Sequence, residues 1–167
     1  KVSGHVLDEK THLHVFRGIP YATPPIGELR WRLPKPPKKW EGVRKCDQFS
    51  AAAPQKLKNN ASILLSEDCL YLNIWTKRAG KPEANLPVMV WIHGGGLNQG
   101  YGHKGYSDGE GFANRNVVLV SLNYRSCLDL HQYMQNFLEK KLINITQSSI
   151  LLILDGLVDH MVLEKEL

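Results

Sequence analysis

A chain of 167 residues with 43% apolar content has the length of one domain and enough apolar side chains for a core. Its formal charge of +5 is mild, and the basic residues (Arg30, Arg32, Lys35, Lys38, Lys39, Lys56, Lys58) lie scattered among prolines and apolar residues. That is unlike the dense basic face that nucleic acid demands, and no run approaches the ~18 apolar residues of a membrane span.

Val2–Val6 and His12–Phe16 flank the turn-like Asp8-Glu9-Lys10 and predict a β-hairpin, with His12 and His14 together on one solvated face. Two histidines make a poor metal site. Gly18–Trp40, "GIPYATPPIGELRWRLPKPPKKW", is too rich in proline for helix or central strand. An extended loop is expected, held by burial of Tyr21, Trp31 and Trp40. Cys69–Thr76, "CLYLNIWT", alternates and predicts a half-buried strand. Pro87–Ile92 and Asn116–Tyr124 are near-continuous β-branched and apolar runs, the pattern of strands buried on both faces. A short helix is expected between them, over Gly109–Asn114. This order is an α/β architecture. The first residue is Lys rather than Met, which reads as the interior of a longer product. Three cysteines, Cys46, Cys69 and Cys127, leave at least one unpaired, and without C-x-x-C spacing a structural zinc site is not expected. Asn60-Ala61-Ser62 and Asn144-Ile145-Thr146 are glycan sequons that matter only in a secreted protein.

The stretch "HGGGLNQGYGHKGYSDGEG", His93–Gly111, holds two chemical signals. Gly94-Gly95-Gly96 follow an apolar strand; without Cβ, such a backbone turns sharply and brings its N–H donors close to a ligand. A glycine-rich turn with no ligand is the plain alternative. A dinucleotide loop is the other, but Gly100 comes one residue late for G-x-G-x-x-G. Gly105-Tyr106-Ser107-Asp108-Gly109 spells G-x-S-x-G, which positions a nucleophile only on a tight strand-to-helix turn. The preceding "NQGYGHK" is polar and glycine-rich and cannot be a core strand. Ser107 is therefore not expected to be a nucleophile.

"FRGIPYATPPIGELRW" (Phe16–Trp31), "SEDCLYLNIWT" (Ser66–Thr76), "PVMVWIHGGG" (Pro87–Gly96) and "VVLVSLNYR" (Val117–Arg125) together resemble the type-B carboxylesterases, the cholinesterase-like branch of the α/β-hydrolases. The resemblance covers residues 1–125 and only the opening part of a family member. It implies a truncated α/β-hydrolase fold, an oxyanion hole formed by the N–H groups of Gly95 and Gly96, a small-molecule ester as substrate, and no cofactor. It also implies a structural ion pair between Arg30 and Glu67. Family members with a disulfide here place the partner of Cys69 in a segment resembling "AAAPQ", where this chain has Ala53, so a Cys46–Cys69 bridge is not carried over. The family's nucleophile lies downstream in a motif like G-E-S-A-G, which this sequence lacks.

Residues 126–167 depart from the family. Leu130, Met134, Phe137, Leu138 and Leu142 recur at helical spacing, Ser149–Leu154 reads as a strand and Leu157–Leu167 as a second helix. "LLILDGLVDHMV" loosely resembles a late strand and turn of other α/β-hydrolases, which nominates Asp159 as a triad acid; a divergent tail is the plainer account, and the adjacent His160 is expected at the surface. The expectation is an inactive piece of an ester hydrolase, secreted or extracytoplasmic. The alternative is a non-catalytic binding or adhesion-type member of the family, or a product with no enzymatic role.

Overall fold

The computed structural model describes residues 1–56, 63–96, 98–103, 105 and 108–126. The tail elements, Asp159, His160, Cys127, both sequons and Ser107 lie outside the described residues.

Seven strands are present: β1 (Val2–Ser3), β2 (His5–Asp8), β3 (Leu13–Pro20), β4 (Arg44–Lys45), β5 (Tyr71–Thr76), β6 (Val88–Ile92) and β7 (Val118–Leu122). A four-residue helix, α1 (Glu110–Ala113), precedes β7, and 3-10 turns occupy Gly27–Leu29 and Pro82–Ala84. Five strands form one mixed sheet in the order β2-β3-β5-β7-β6. β2, β3, β5 and β7 alternate in direction, and β6 runs parallel to β7. Parallel neighbours cannot be joined by a tight turn; the glycine-rich loop and α1 make the crossover. The predicted hairpin exists, but its first arm is His5–Asp8, because Val2–Ser3 instead pair in parallel with Arg44–Lys45.

The sheet has an apolar layer on each face, as a period of two requires. Phe16, Ile19, Leu72, Ile74, Val120 and Leu122 pack in one layer, Leu13, Val15, Trp75, Ala113 and Leu119 in the other. β5 is therefore buried on both faces, not half-buried as its alternation predicted. Trp75 is covered by α1: a side chain at Gly109 would collide with its ring, and Ala113 joins its cluster. The reverse holds for β6, expected to be covered on both faces. Val88, Met89, Trp91 and Ile92 are 40, 44, 39 and 49% exposed, because among the described residues β6 is an edge strand with β7 as its neighbour.

The proline-rich segment also departs from expectation, since Gly18, Ile19 and Pro20 belong to an interior strand. Two local devices allow it. The register slips between Phe16 and Ile19, where Gly18 takes φ +71° and donates its N–H to Asn73 Oδ1 at 3.0 Å, so the bulge leaves no orphaned amide. Pro20 sits at the strand's end, beyond β2, whose pairing with β3 stops at Val15. Tyr21 and Trp40 do anchor the following loop, through Tyr21 Oη to the Asn123 carbonyl at 2.6 Å and Trp40 Nε1 to the Lys1 carbonyl at 2.8 Å. Trp31 does not; it is 52% exposed.

His12 and His14 do not share a solvated face. His12 is exposed in the turn with φ +55°, whereas His14 is 7% exposed in β3, with no partner for Nδ1. Burial, and then the neighbouring His12 charge, hold the His14 pKa below the ordinary 6.5. An unfolded chain therefore takes up the proton first, so stability falls as pH drops through about 6.5 and levels off below the folded value. His103 acts in the same sense, mainly through burial, while the lowered Asp8 and Asp47 matter only near and below 3.8. We expect a lower urea midpoint at about pH 5.5 than at about pH 7.5, with a smaller difference in His14→Gln. Equal midpoints at the two pH values would refute this account.

Candidate functional site

The carboxyl end of a parallel strand is where an open α/β sheet presents its loops to ligands, and β6 delivers its chain there directly into His93-Gly94-Gly95-Gly96. His93 is 3% exposed. Its ring stacks on Tyr124, centroids 4.2 Å apart and planes 13° from parallel, and Tyr124 Oη donates to the His93 carbonyl at 2.6 Å. Just past β7, Tyr124 thus fixes the point where β6 ends.

Beyond it the backbone enters conformations that L side chains avoid. Gly95 has φ +134° and Gly96 φ +61°. The Gly95 carbonyl accepts from Asn98 N at 3.1 Å and Gln99 N at 3.2 Å, folding the loop back on itself so tightly that a Cβ on Gly95 would overlap the Gln99 carbonyl. Around Gly96 there is open space. Among the described residues no acceptor meets the amide N–H of either glycine.

Two buried carboxamides clamp the returning arm of the loop. Gln55 accepts from Gly100 N at 2.7 Å and donates back to the Gly100 carbonyl at 2.8 Å, as well as to the Ala53 carbonyl at 3.0 Å. Asn123 accepts from Gly102 N at 2.7 Å and donates to the Ala51 carbonyl at 2.9 Å. Glycine is required at both anchors: a Cβ on Gly100 would strike the His93 ring, and one on Gly102 the Leu122 backbone. Each side chain replaces a ladder hydrogen bond that the irregular loop cannot make. Sequence reasoning assigned neither of them. The only signal was a carboxamide, Asn123, near the end of a largely apolar strand run.

His103 follows, stacked on Phe49 with centroids 4.8 Å apart and tilted against Tyr101 at 4.7 Å. Burial, and secondarily His93, lower its pKa, and Nδ1 has no partner. It is therefore neutral at physiological pH. No strand occurs in the described residues 98–103, and Gly109, the last glycine of the G-x-S-x-G pattern, caps the N-terminus of α1.

Arg30 and Glu67 form a two-pronged pair, Nε to Oε1 at 2.6 Å and Nη2 to Oε2 at 2.7 Å, that ties the first 3-10 turn to the segment before β5. Cys46 and Cys69 are both free and buried. Burial pushes their thiols up to about 11 and about 12, so both stay protonated and unreactive at neutral pH. Among the described residues no three His, Cys, Asp or Glu side chains are grouped to hold a metal, and no helix is long and apolar enough to cross a membrane.

Comparison with known proteins gives this geometry its family. The fumonisin B1 esterase of Sphingopyxis macrogoltabida is 44% identical over 128 residues, 74% of this chain and 23% of that protein. The pyrethroid hydrolase Ces2e of Rattus norvegicus is 44% identical over 132 residues, 72% and 23% of the two chains. Among solved structures, a thermophilic PNB esterase superposes with a TM-score of 0.77 at 32% identity, covering 96% of this chain and 34% of that one. The chain thus spans about a quarter of the length of the curated relatives it matches. The sequence pattern of the carboxylesterase family matches residues 1–128, and the mixed sheet is a partial α/β-hydrolase fold; the chain belongs to the carboxylesterase family.

Proposed function

We propose that this chain carries the oxyanion half of a serine carboxylesterase site, with the amides of Gly95 and Gly96 as donors, and hydrolyses no ester by itself. The observation that carries this reading is the pair of left-handed glycines directly after β6, whose N–H groups meet no acceptor among the described residues. In the complete reaction a serine attacks the carbonyl of a small-molecule carboxylic ester, and a histidine moves its proton. Donors already aimed at the new alkoxide need no reorganisation as charge develops, and each typically contributes about 3 kcal/mol. Gln55, Asn123 and Tyr124 supply that fixed aim here by holding the loop at Gly100, Gly102 and His93. The nucleophile is the missing part: no G-E-S-A-G-like motif occurs in the 167 residues, and Ser107 follows a segment too polar for a core strand.

The experiment is hydrolysis of p-nitrophenyl acetate by the whole chain. The expected rate is the solution background, unchanged by a fluorophosphonate and by Ser107→Ala. A burst of p-nitrophenol that Ser107→Ala abolishes would make Ser107 the nucleophile and end this proposal. Turnover that survives Ser107→Ala but not Gly95→Pro would end it equally, by revealing a second nucleophile in the chain.

A further inference from the structure

The proline-rich segment after β3 presents apolar and basic side chains together. Leu33 is 68% exposed, Trp31 52% and Ile26 50%, and Trp31 holds φ +65°, a left-handed conformation that is costly for a bulky side chain. Interleaved with them is a run of one charge. From Arg32 to Lys39 the sequence reads "RLPKPPKK", four cations and no acidic residue, and Arg32, Lys35, Lys38 and Lys39 are all exposed. Just beyond the run, the Arg44 guanidinium lies over the Trp40 ring, 5.5 Å from its centroid, and adds to the same charge. The backbone that carries these side chains is fastened at several points. Thr23 N donates to the Lys35 carbonyl at 2.9 Å and Thr23 Oγ1 to the Pro36 carbonyl at 2.6 Å. The Arg30–Glu67 pair and the bond from Trp40 Nε1 to the Lys1 carbonyl hold the two flanks, and Pro34, Pro36 and Pro37 fix φ between them. A partner therefore meets a preset backbone, with little left to order on contact.

We propose that this segment docks peripherally on an anionic phospholipid bilayer, with Leu33 and the Trp31 indole entering the interface and Arg32, Lys35, Lys38 and Lys39 on the lipid head groups. The charge selects an anionic surface, each basic residue near it strengthening binding about fivefold. The apolar side chains select a bilayer over any other polyanion. A nucleic acid or an acidic protein face gains nothing from an exposed leucine set between cations, whereas a membrane interface takes up leucine and indole and leaves lysine heads among the phosphates. The interleaving that makes the run a poor nucleic-acid face thus suits it to a lipid one. The inference is independent of the oxyanion reading: it uses no residue of the glycine loop and stands whether or not the chain hydrolyses esters.

The test is flotation of the whole chain with phosphatidylcholine vesicles that contain or lack phosphatidylserine. We expect the chain to float with the phosphatidylserine vesicles, and to bind about tenfold or more weakly to phosphatidylcholine alone or at high salt. Leu33→Ser should weaken binding about tenfold, and the triple variant Lys35→Ser, Lys38→Ser, Lys39→Ser about a hundredfold. Met89→Ser, which removes an exposed apolar side chain from β6 instead, should bind as the parent does. All the substituted side chains are exposed, and circular dichroism checks each fold; were Leu33→Ser to lose it, the lysine variant decides. No flotation, or equal binding to both vesicle types, would overturn the proposal. Unaltered binding in Leu33→Ser would overturn it in favour of a purely ionic partner such as an acidic protein face. A loss in Met89→Ser as large as that in Leu33→Ser would overturn it by showing that the sheet edge is what adheres.

Discussion

Gly95→Ala is expected to destabilise the chain by about 3 kcal/mol and to displace the whole loop from His93 to Gly100, whereas Gly96→Ala should cost only about 1 kcal/mol. The contrast follows from surroundings, not from glycine content. Both positions have positive φ and both variants keep a backbone amide. At Gly96 the added methyl meets open space, so the penalty is that of a left-handed alanine alone. At Gly95 the methyl also lands on the Gln99 carbonyl, and the turn closed by Asn98 N and Gln99 N onto the Gly95 oxygen must open to admit it. The amide survives, but no longer where the fold put it. Urea denaturation of the two variants, with the amide resonances of residues 93–100 as a positional readout, measures both effects. A Gly95→Ala protein as stable as Gly96→Ala would show that the turn is not held as described.

The second large effect is expected at Asn123. Its side chain is fully buried and hydrogen-bonds two backbone groups, the Gly102 N–H and the Ala51 carbonyl. Asn123→Leu fills a similar volume but leaves both unsatisfied in the interior, which should cost about 2–6 kcal/mol, since each orphaned group typically costs about 1–3. Asn123→Asp is informative in a different way. It keeps the acceptor for Gly102 but loses the donor to Ala51, setting a buried carboxylate oxygen against a carbonyl, so its deficit should grow as pH rises and the carboxyl ionises. Denaturation midpoints for both variants, with hydrogen exchange at the Gly102 amide, provide the check. Wild-type protection of that amide in Asn123→Leu would show that Asn123 does not hold Gly102 in place.

Both effects depend on contacts the sequence does not announce. What was legible is local. The runs at Pro87–Ile92 and Asn116–Tyr124 identify themselves as strands by β-branched density, the observed strands lying within them, and three glycines after the first of them identify a loop with special backbone needs. The four-residue α1 lies within the predicted Gly109–Asn114. What was not legible depends on who neighbours whom. The alternation of "CLYLNIWT" suggested one wet face, yet β5 sits between β3 and β7 under α1. The apolar run of β6 suggested full burial, yet β6 lies at the edge. His14 looked exposed for the same reason, since strand order in a sheet is not written in any one strand. Gln55 and Asn123 escaped notice because each works at a distance, 45 residues from Gly100 and 21 from Gly102. A buried carboxamide serving remote backbone leaves no periodic trace.

The crossover from β6 to β7 has a kinetic consequence. The glycine loop is itself the tether between two parallel strands, so β6 can neither dock nor detach without that tether bending. Gln55 and Asn123 fasten the tether from outside it. Fraying of β6 at the rim of the sheet and loss of order in the glycine loop are therefore expected to be coupled, the two opening together rather than separately.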